Sequence, residues 1–154
     1  MSVSQFRSLV ENSCRLLELE VAELYSVPGD GPQAVTLDIA DVRITLAFEP
    51  RRDASRIFFL CQLGLIPAER ETDILRRLLE TTHSRLSDDA AILSMDPESG
   101  EAILEYNVAI TSTTPERLVA SLKGAAETAL LWRECHFLEA ERRPAVVAES
   151  ADFA

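Results

Sequence analysis

The spacing of apolar residues changes abruptly early in the chain, and this change constrains the fold more than any other feature. Before a Pro-Gly-Asp-Gly-Pro segment at residues 28–32, apolar side chains recur every three or four positions, as in an amphipathic helix. After it they alternate with polar residues through 35–39 and 42–48, as in half-buried strands. A helix from about residue 4 to about residue 25 is therefore predicted to precede a pair of strands.

The middle of the chain predicts a third strand and a second helix. Residues 57–63 form a near-continuous apolar run, which is expected of a central strand covered on both faces or of one that shows a face to a partner. A proline suits the first position of the second helix, predicted over residues 67–86. The polar residues 50–53 predict a loop. The link at Ala40 and Asp41 lacks a favoured two-residue turn sequence, so the pairing register of the first two strands is left open.

The last part of the chain predicts a hairpin and a third helix. A turn sequence at residues 96–100 separates apolar runs at 91–95 and 102–108. Thr, Pro and Glu at 114–116 are start signals for a helix that reaches about residue 138. The predicted fold class is α+β, in the order α-β-β-β-α-β-β-α, with a twisted antiparallel sheet and three helices.

The composition describes one acidic globular chain. Its 154 residues suit a single domain, predicted over residues 1–140, followed by a mobile tail at 141–154. With 26 acidic and 15 basic residues, the net charge of −11 repels nucleic acid and anionic lipid, so neither is an expected partner. The N-terminus lacks a secretory signal pattern, and no apolar stretch approaches about 18 residues. A soluble intracellular protein is therefore expected.

Motifs for catalysis, nucleotide binding or metal binding are missing from the sequence. It contains no phosphate-binding glycine loop, no H-E-x-x-H and no G-x-S-x-G. The two histidines, His83 and His136, lie on separate predicted helices, and Cys14, Cys61 and Cys135 match no redox or zinc spacing. We therefore expect no catalytic residue, no metal and no cofactor, with all three thiols unpaired. A small enzyme built from carboxylates is kept as one alternative.

Four short strings follow one another in an informative order. They are Leu-Gly-Leu-Ile-Pro at 63–67, Leu-Arg-Arg-Leu-Leu at 75–79, Met-Asp-Pro-Glu-Ser-Gly at 95–100 and Leu-Trp-Arg at 131–133. With their spacing, the chain length and the acidic charge, they resemble the Tir-chaperone (CesT-like) family, the class I chaperones of bacterial type III secretion. The resemblance covers about residues 4–138. A bacterial sensory-regulator-like domain of similar fold, which binds a folded protein, is the second alternative.

The resemblance implies a cytoplasmic homodimer of a Gram-negative bacterium that acts without catalysis, metal or cofactor. Such a protein binds the N-terminal region of a secreted effector, keeps it soluble and partly unfolded, and presents it for export; the secretion ATPase is a further implied partner. The resemblance also implies effector contacts on the first helix and the sheet, and a dimer contact around the second helix. Within those elements we expect effector contacts at Phe6, Leu9, Leu16, Leu17, Val35, Leu37 and Ile44, and dimer contacts at Ile74, Leu75, Leu78, Leu79 and Leu86.

Overall fold

The fold is a layer of helices on one antiparallel sheet, in a computed structural model that describes residues 3–20, 25–26, 31–83 and 91–138. The helices are α1 (Val3–Leu16), α2 (Pro50–Asp53), α3 (Glu71–His83) and α4 (Pro115–Cys135). The strands are β1 (Tyr25–Ser26), β2 (Gln33–Ile39), β3 (Val42–Phe48), β4 (Arg56–Leu65), β5 (Ile92–Met95) and β6 (Glu101–Ala109). They lie in the order β1-β2-β3-β4-β6-β5, and all neighbours are antiparallel.

The predicted α+β order is confirmed, with two additions. The short strand β1 pairs with the start of β2. It lies where the sequence predicts the end of the first helix, just before the Pro-Gly-Asp-Gly-Pro segment. The one-turn helix α2 replaces the predicted loop, because Pro50 presets the backbone for a first helical position. The predicted tail at residues 141–154 lies outside the described residues.

The first helix ends at Leu16, well before the Pro-Gly segment, because the chain closes it with a Schellman motif. Glu18 adopts a positive φ of 55°. Its amide donates to the carbonyl of Arg15, and the amide of Leu19 donates to the carbonyl of Cys14. Glycine usually occupies the position that Glu18 holds here, so the sequence carries no visible stop signal at this point.

A two-residue turn joins β2 and β3 and sets their register, with Ile39 opposite Val42. Ala40 and Asp41 have positive φ values of 50° and 61°, as a type I′ turn requires. The Arg133 guanidinium donates to the Asp41 carbonyl at 3.0 Å and so ties the turn to α4. Because alanine rarely adopts this conformation, the sequence alone leaves the register open.

Helices α1 and α4 cover one face of the sheet, here called the covered face. Cys61 Sγ donates to an α4 carbonyl at 3.6 Å, and the Tyr106 hydroxyl donates to another at 3.1 Å. Phe6 of α1 stacks on Phe48 of β3 with ring centroids 5.5 Å apart. The hydrophobic core therefore lies between this face and the helices, and the opposite face of the sheet is here called the open face.

Helix α3 lies beside the edge strand β5. Thr82 Oγ1 accepts the Leu93 amide at 3.0 Å and donates to the Leu93 carbonyl at 3.3 Å. Ile74 and Leu78 are 0% and 2% exposed and belong to the same core. The helix thus satisfies backbone groups on an edge that would otherwise present them to other strands.

Candidate functional site

The open face carries a set of apolar side chains that the protein leaves partly exposed. Leu60 in the middle of β4 and Ile92 on β5 are 38% and 51% exposed. Phe58 and Ile103 are half-buried beside them. The strand register places Glu105 of β6 between Leu60 and Ile92, so the three form one row across three strands. We call Phe58, Leu60, Ile92 and Ile103 the sheet patch.

Two shallow hollows lie on the sheet patch, and Leu60 and Glu105 line both of them. The first has a volume of about 200 Å³ and includes Phe58. The second has a volume of about 370 Å³ and includes Gln62. Phe58, Leu60 and Gln62 are alternate residues of β4, so the hollows are displaced along the strand by about two residues, or ~6.8 Å. This repeat suits alternate side chains of an extended segment lying along the strands.

Glu105 places a half-buried carboxylate between the two hollows. One of its oxygens accepts a hydrogen bond from Ser94 Oγ at 2.8 Å. Over the described part of the chain, no arginine, lysine or histidine forms an ion pair with it. Arg52 also lines the first hollow, where its guanidinium carbon lies 4.8 Å from the centroid of the Phe58 ring. The apolar surface therefore has a carboxylate at its centre and a guanidinium at one margin.

The structure places most of the residues assigned above to effector binding in the core, not on a surface. Their alternation along the strands correctly groups residues that share a face, but it does not reveal which face the helices cover. Leu16, which is 53% exposed, and the half-buried Leu17 remain at the end of α1. The core positions, all at most 8% exposed, are Phe6, Leu9, Val35, Leu37 and Ile44.

The apolar stripe of α3 divides between the interior and the surface. Ile74 and Leu78 are buried, and Leu75 is half-buried against the core. Leu79 is 69% exposed and lies one turn from Leu75. Leu86 lies outside the described residues. The outward-facing dimer candidate is therefore Leu79, with Leu75 beside it.

The residues of the sheet patch are not among those that the sequence predicts for effector binding. Leu60 lies in an apolar run that also contains core residues, and Ile92 and Ile103 lie in the strands of the predicted hairpin, away from the elements expected to bind. A usable signal is the alternation around Glu105, where Ile103 and Asn107 flank it at two-residue spacing. Polar residues on the same face as exposed apolar ones indicate a face without helices.

Two of the three thiols, those of Cys14 and Cys61, are made unreactive by their burial. Burial raises the pKa of the Cys61 thiol to about 12, and burial together with the Glu11 carboxylate raises the pKa of Cys14. Cys135 is half-buried, and none of the three forms a disulfide. Among the described residues, no three metal-ligating side chains come together, and no helix there has the length and apolarity to cross a bilayer.

Comparisons with known proteins agree with this fold. The sequence profile of the family described as Tir chaperone protein (CesT) family matches residues 23–133. Among solved structures, the ExsC–ExsE complex contains a similar chain, with a TM-score of 0.67 and 18% identity, over 92% of this chain and 100% of that one. A comparison with curated proteins finds no match.

Two further solved structures contain similar chains. One is the HopA1–SchA chaperone–effector complex, with a TM-score of 0.59 and 18% identity over 87% of this chain and 98% of that one. The other is the Yersinia pestis type III secretion chaperone SycH with a stable fragment of YscM2, with a TM-score of 0.52 and 22% identity over 80% of this chain and 96% of that one. At these identities the likenesses show the fold.

Proposed function

This chain belongs to the Tir chaperone protein (CesT) family, and from that membership and its open sheet face we propose that it is a cytoplasmic chaperone of type III secretion. It binds the N-terminal segment of a secreted effector and keeps that segment soluble and partly unfolded until export. It acts by binding, without catalysis. The observation that carries the proposal is the partly exposed sheet patch on the face opposite the helices.

The sheet patch supports the proposal because an unfolded segment exposes apolar side chains that need cover. Burying apolar surface contributes about 25 cal/mol per Å², so each well-seated anchor contributes on the order of 1.5–3 kcal/mol. Leu60 and Ile92 each present apolar area for such an anchor. The net charge of −11 keeps a protein with this surface soluble.

The three compared structures are all complexes with a second protein, which also supports the proposal. SchA was solved in a chaperone–effector complex, and SycH was solved with a stable fragment of YscM2. Their folds are similar to that of this chain. We propose the same general use of the fold here.

We further propose that α3 forms the contact between two copies of the chain. Leu79 is the most exposed large apolar side chain of this helix, and Leu75 lies one turn before it. An apolar helix face of this kind is suited to an isologous contact, in which the same surface of both copies pairs. The sheet patch then remains available to the effector.

The proposal is tested by mapping what the chain binds in its native host. The chain is purified with its partner, the complex is digested with a protease, and the protected part of the partner is identified by mass spectrometry. We expect a protected N-terminal segment of a secreted protein that lacks a folded domain. Protection of an intact folded domain would instead support the sensory-regulator alternative.

A pair of variants ties that binding to the sheet patch. Leu60 and Leu130 are both 38% exposed, but Leu60 lies on the open face and Leu130 on α4. Leu60→Gln is expected to lose most of the co-purified segment, and Leu130→Gln is expected to retain it. Equal retention by both variants would remove the sheet patch from the proposal.

A further inference from the structure

The charges around the two hollows are unevenly distributed. Three carboxylates line them, those of Glu49, Asp96 and Glu105, against one guanidinium, that of Arg52. Asp96 is engaged within its hairpin turn, where it accepts hydrogen bonds from the Glu98 amide at 2.9 Å and from a serine hydroxyl at 2.8 Å. Glu105 is the carboxylate that borders both hollows.

Glu105 has acceptor capacity that the described residues do not fill. An ionised carboxylate offers about four lone-pair sites, and Ser94 Oγ occupies one of them. As far as the described residues go, the remaining sites are left to solvent while the face is open. A segment that covers the sheet patch removes that solvent, and a carboxylate left without a partner in an apolar contact is costly.

We propose that the segment bound on the sheet patch carries an arginine or lysine next to its apolar anchors, and that Glu105 receives this basic side chain. This inference rests on the proposed function and names the chemistry of the partner. The apolar anchors fill the hollows on either side of Leu60, and the basic group pairs with the carboxylate between them. A neutral or acidic segment of the same shape leaves the Glu105 carboxylate desolvated and unpaired. The site therefore favours basic segments in two ways: it attracts their positive charge, and it imposes a desolvation cost on segments that lack one.

Short fluorescein-labelled peptides provide the probe. The first peptide has two leucines at alternate positions and one adjacent arginine in a Gly/Ser background. In the second peptide citrulline replaces arginine, which removes the charge and keeps the shape, and in the third serine replaces both leucines. Fluorescence anisotropy is expected to show the first peptide binding about tenfold more tightly than the second, the lower end of what a hydrogen bond to a charged group contributes.

Two variants of the full chain identify the group responsible. Glu105→Gln keeps an acceptor for Ser94 and removes the charge, so it is expected to abolish the difference between the arginine and citrulline peptides. Glu98→Gln makes the same change of net charge at an exposed turn residue that lines neither hollow, and it is expected to preserve the difference. If both variants bound the arginine and citrulline peptides equally well, the proposal would be overturned. The preference for arginine would then come from the overall negative charge of the protein and not from Glu105.

The remaining outcomes separate this inference from the function on which it rests. Equal binding of the arginine and citrulline peptides, with no binding of the third, would overturn the role of Glu105 and leave the apolar docking surface standing. Failure of every peptide to bind, together with a change from dimer to monomer in Leu60→Gln, would show that a second copy of the chain occupies this face. That result would overturn both the role of Glu105 and the docking of an effector segment on this face.

Discussion

Neighbouring residues of β4 are expected to separate folding from binding, because they point to opposite faces of the sheet. Phe59 is 1% exposed on the covered face and stacks on Tyr106 with ring centroids 4.3 Å apart. Phe59→Ala removes this side chain from a packed core, at a cost of about 3–5 kcal/mol. That is a large share of a typical unfolding free energy of about 5–15 kcal/mol.

Leu60→Gln is expected to have the opposite profile. Leu60 is 38% exposed before any partner binds, so its replacement is expected to lower the unfolding free energy by less than about 1 kcal/mol. Loss of an apolar anchor is expected to weaken effector binding by about 1–3 kcal/mol, or roughly 5- to 150-fold.

Both variants are measured by urea denaturation at one fixed protomer concentration, since the proposed dimerisation would make the apparent stability depend on concentration. Affinity for the effector segment is measured by fluorescence anisotropy under conditions where each variant is folded. A Leu60→Gln variant destabilised as much as Phe59→Ala would refute the assignment of the two faces. A Leu60→Gln variant that bound the segment with unchanged affinity would refute the role of Leu60 in binding.

The dimer contact, the β5–β6 turn and the thiols each give an expected outcome that can be measured. Light scattering is expected to show the wild type as a dimer of about 34 kDa, twice the 17.0 kDa chain, and Leu79→Glu as a folded monomer. Leu78→Glu is expected to unfold instead, because Leu78 is a core position that is only 2% exposed. A Leu79→Glu variant that is folded and still dimeric would contradict this interface. Hydrogen bonds in the β5–β6 turn favour the ionised form of Asp96 and so lower its pKa in the folded protein below the usual 3.8. The ionised carboxylate therefore stabilises the fold at pH values above 3.8. Asp96→Asn is therefore expected to melt below wild type at neutral pH, with the difference vanishing as pH falls through the lowered pKa; a gap independent of pH would count against this. Ellman's reagent is expected to modify Cys135, which is half-buried, well before the buried Cys14 and Cys61. Replacement of all three cysteines by Ala or Ser should leave effector binding intact.

The order and type of the elements were predictable because the signals behind them are local. Thr114 caps α4 through a hydrogen bond from the Arg117 amide, and Pro115 occupies its first turn, as the sequence indicates. Gly100 takes a positive φ of 72° in the hairpin turn. Each of these depends on residues within a few positions, so sequence patterns identify them.

Features set by unusual backbone conformations were not predictable. Glu18 ends α1 and Ala40 opens the β2–β3 turn, although neither residue type favours a positive φ. Tertiary contacts make up for this cost: Leu19 packs against the core after the helix end, and Arg133 holds the turn through the Asp41 carbonyl. Such contacts join residues far apart in the sequence, where local propensity carries no information.

The candidate site was only partly predictable, because an alternating pattern has two faces. Val35, Leu37 and Ile44 were correctly grouped on one face, which the helices then cover. The face that remains open is identified only once the positions of α1 and α4 are known. Its apolar residues, Leu60 among them, lie in runs that also supply the core.

The central claim, that an effector segment docks on the open face, is tested most directly by methyl NMR spectroscopy. The chain is labelled at isoleucine and leucine methyl groups and titrated with the effector segment identified by co-purification. We expect the signals of Leu60, Ile92 and Ile103 to shift on binding, while those of Leu37 and Ile44 beneath the helices remain in place. Shifts confined to α3, or to the core signals, would contradict the account.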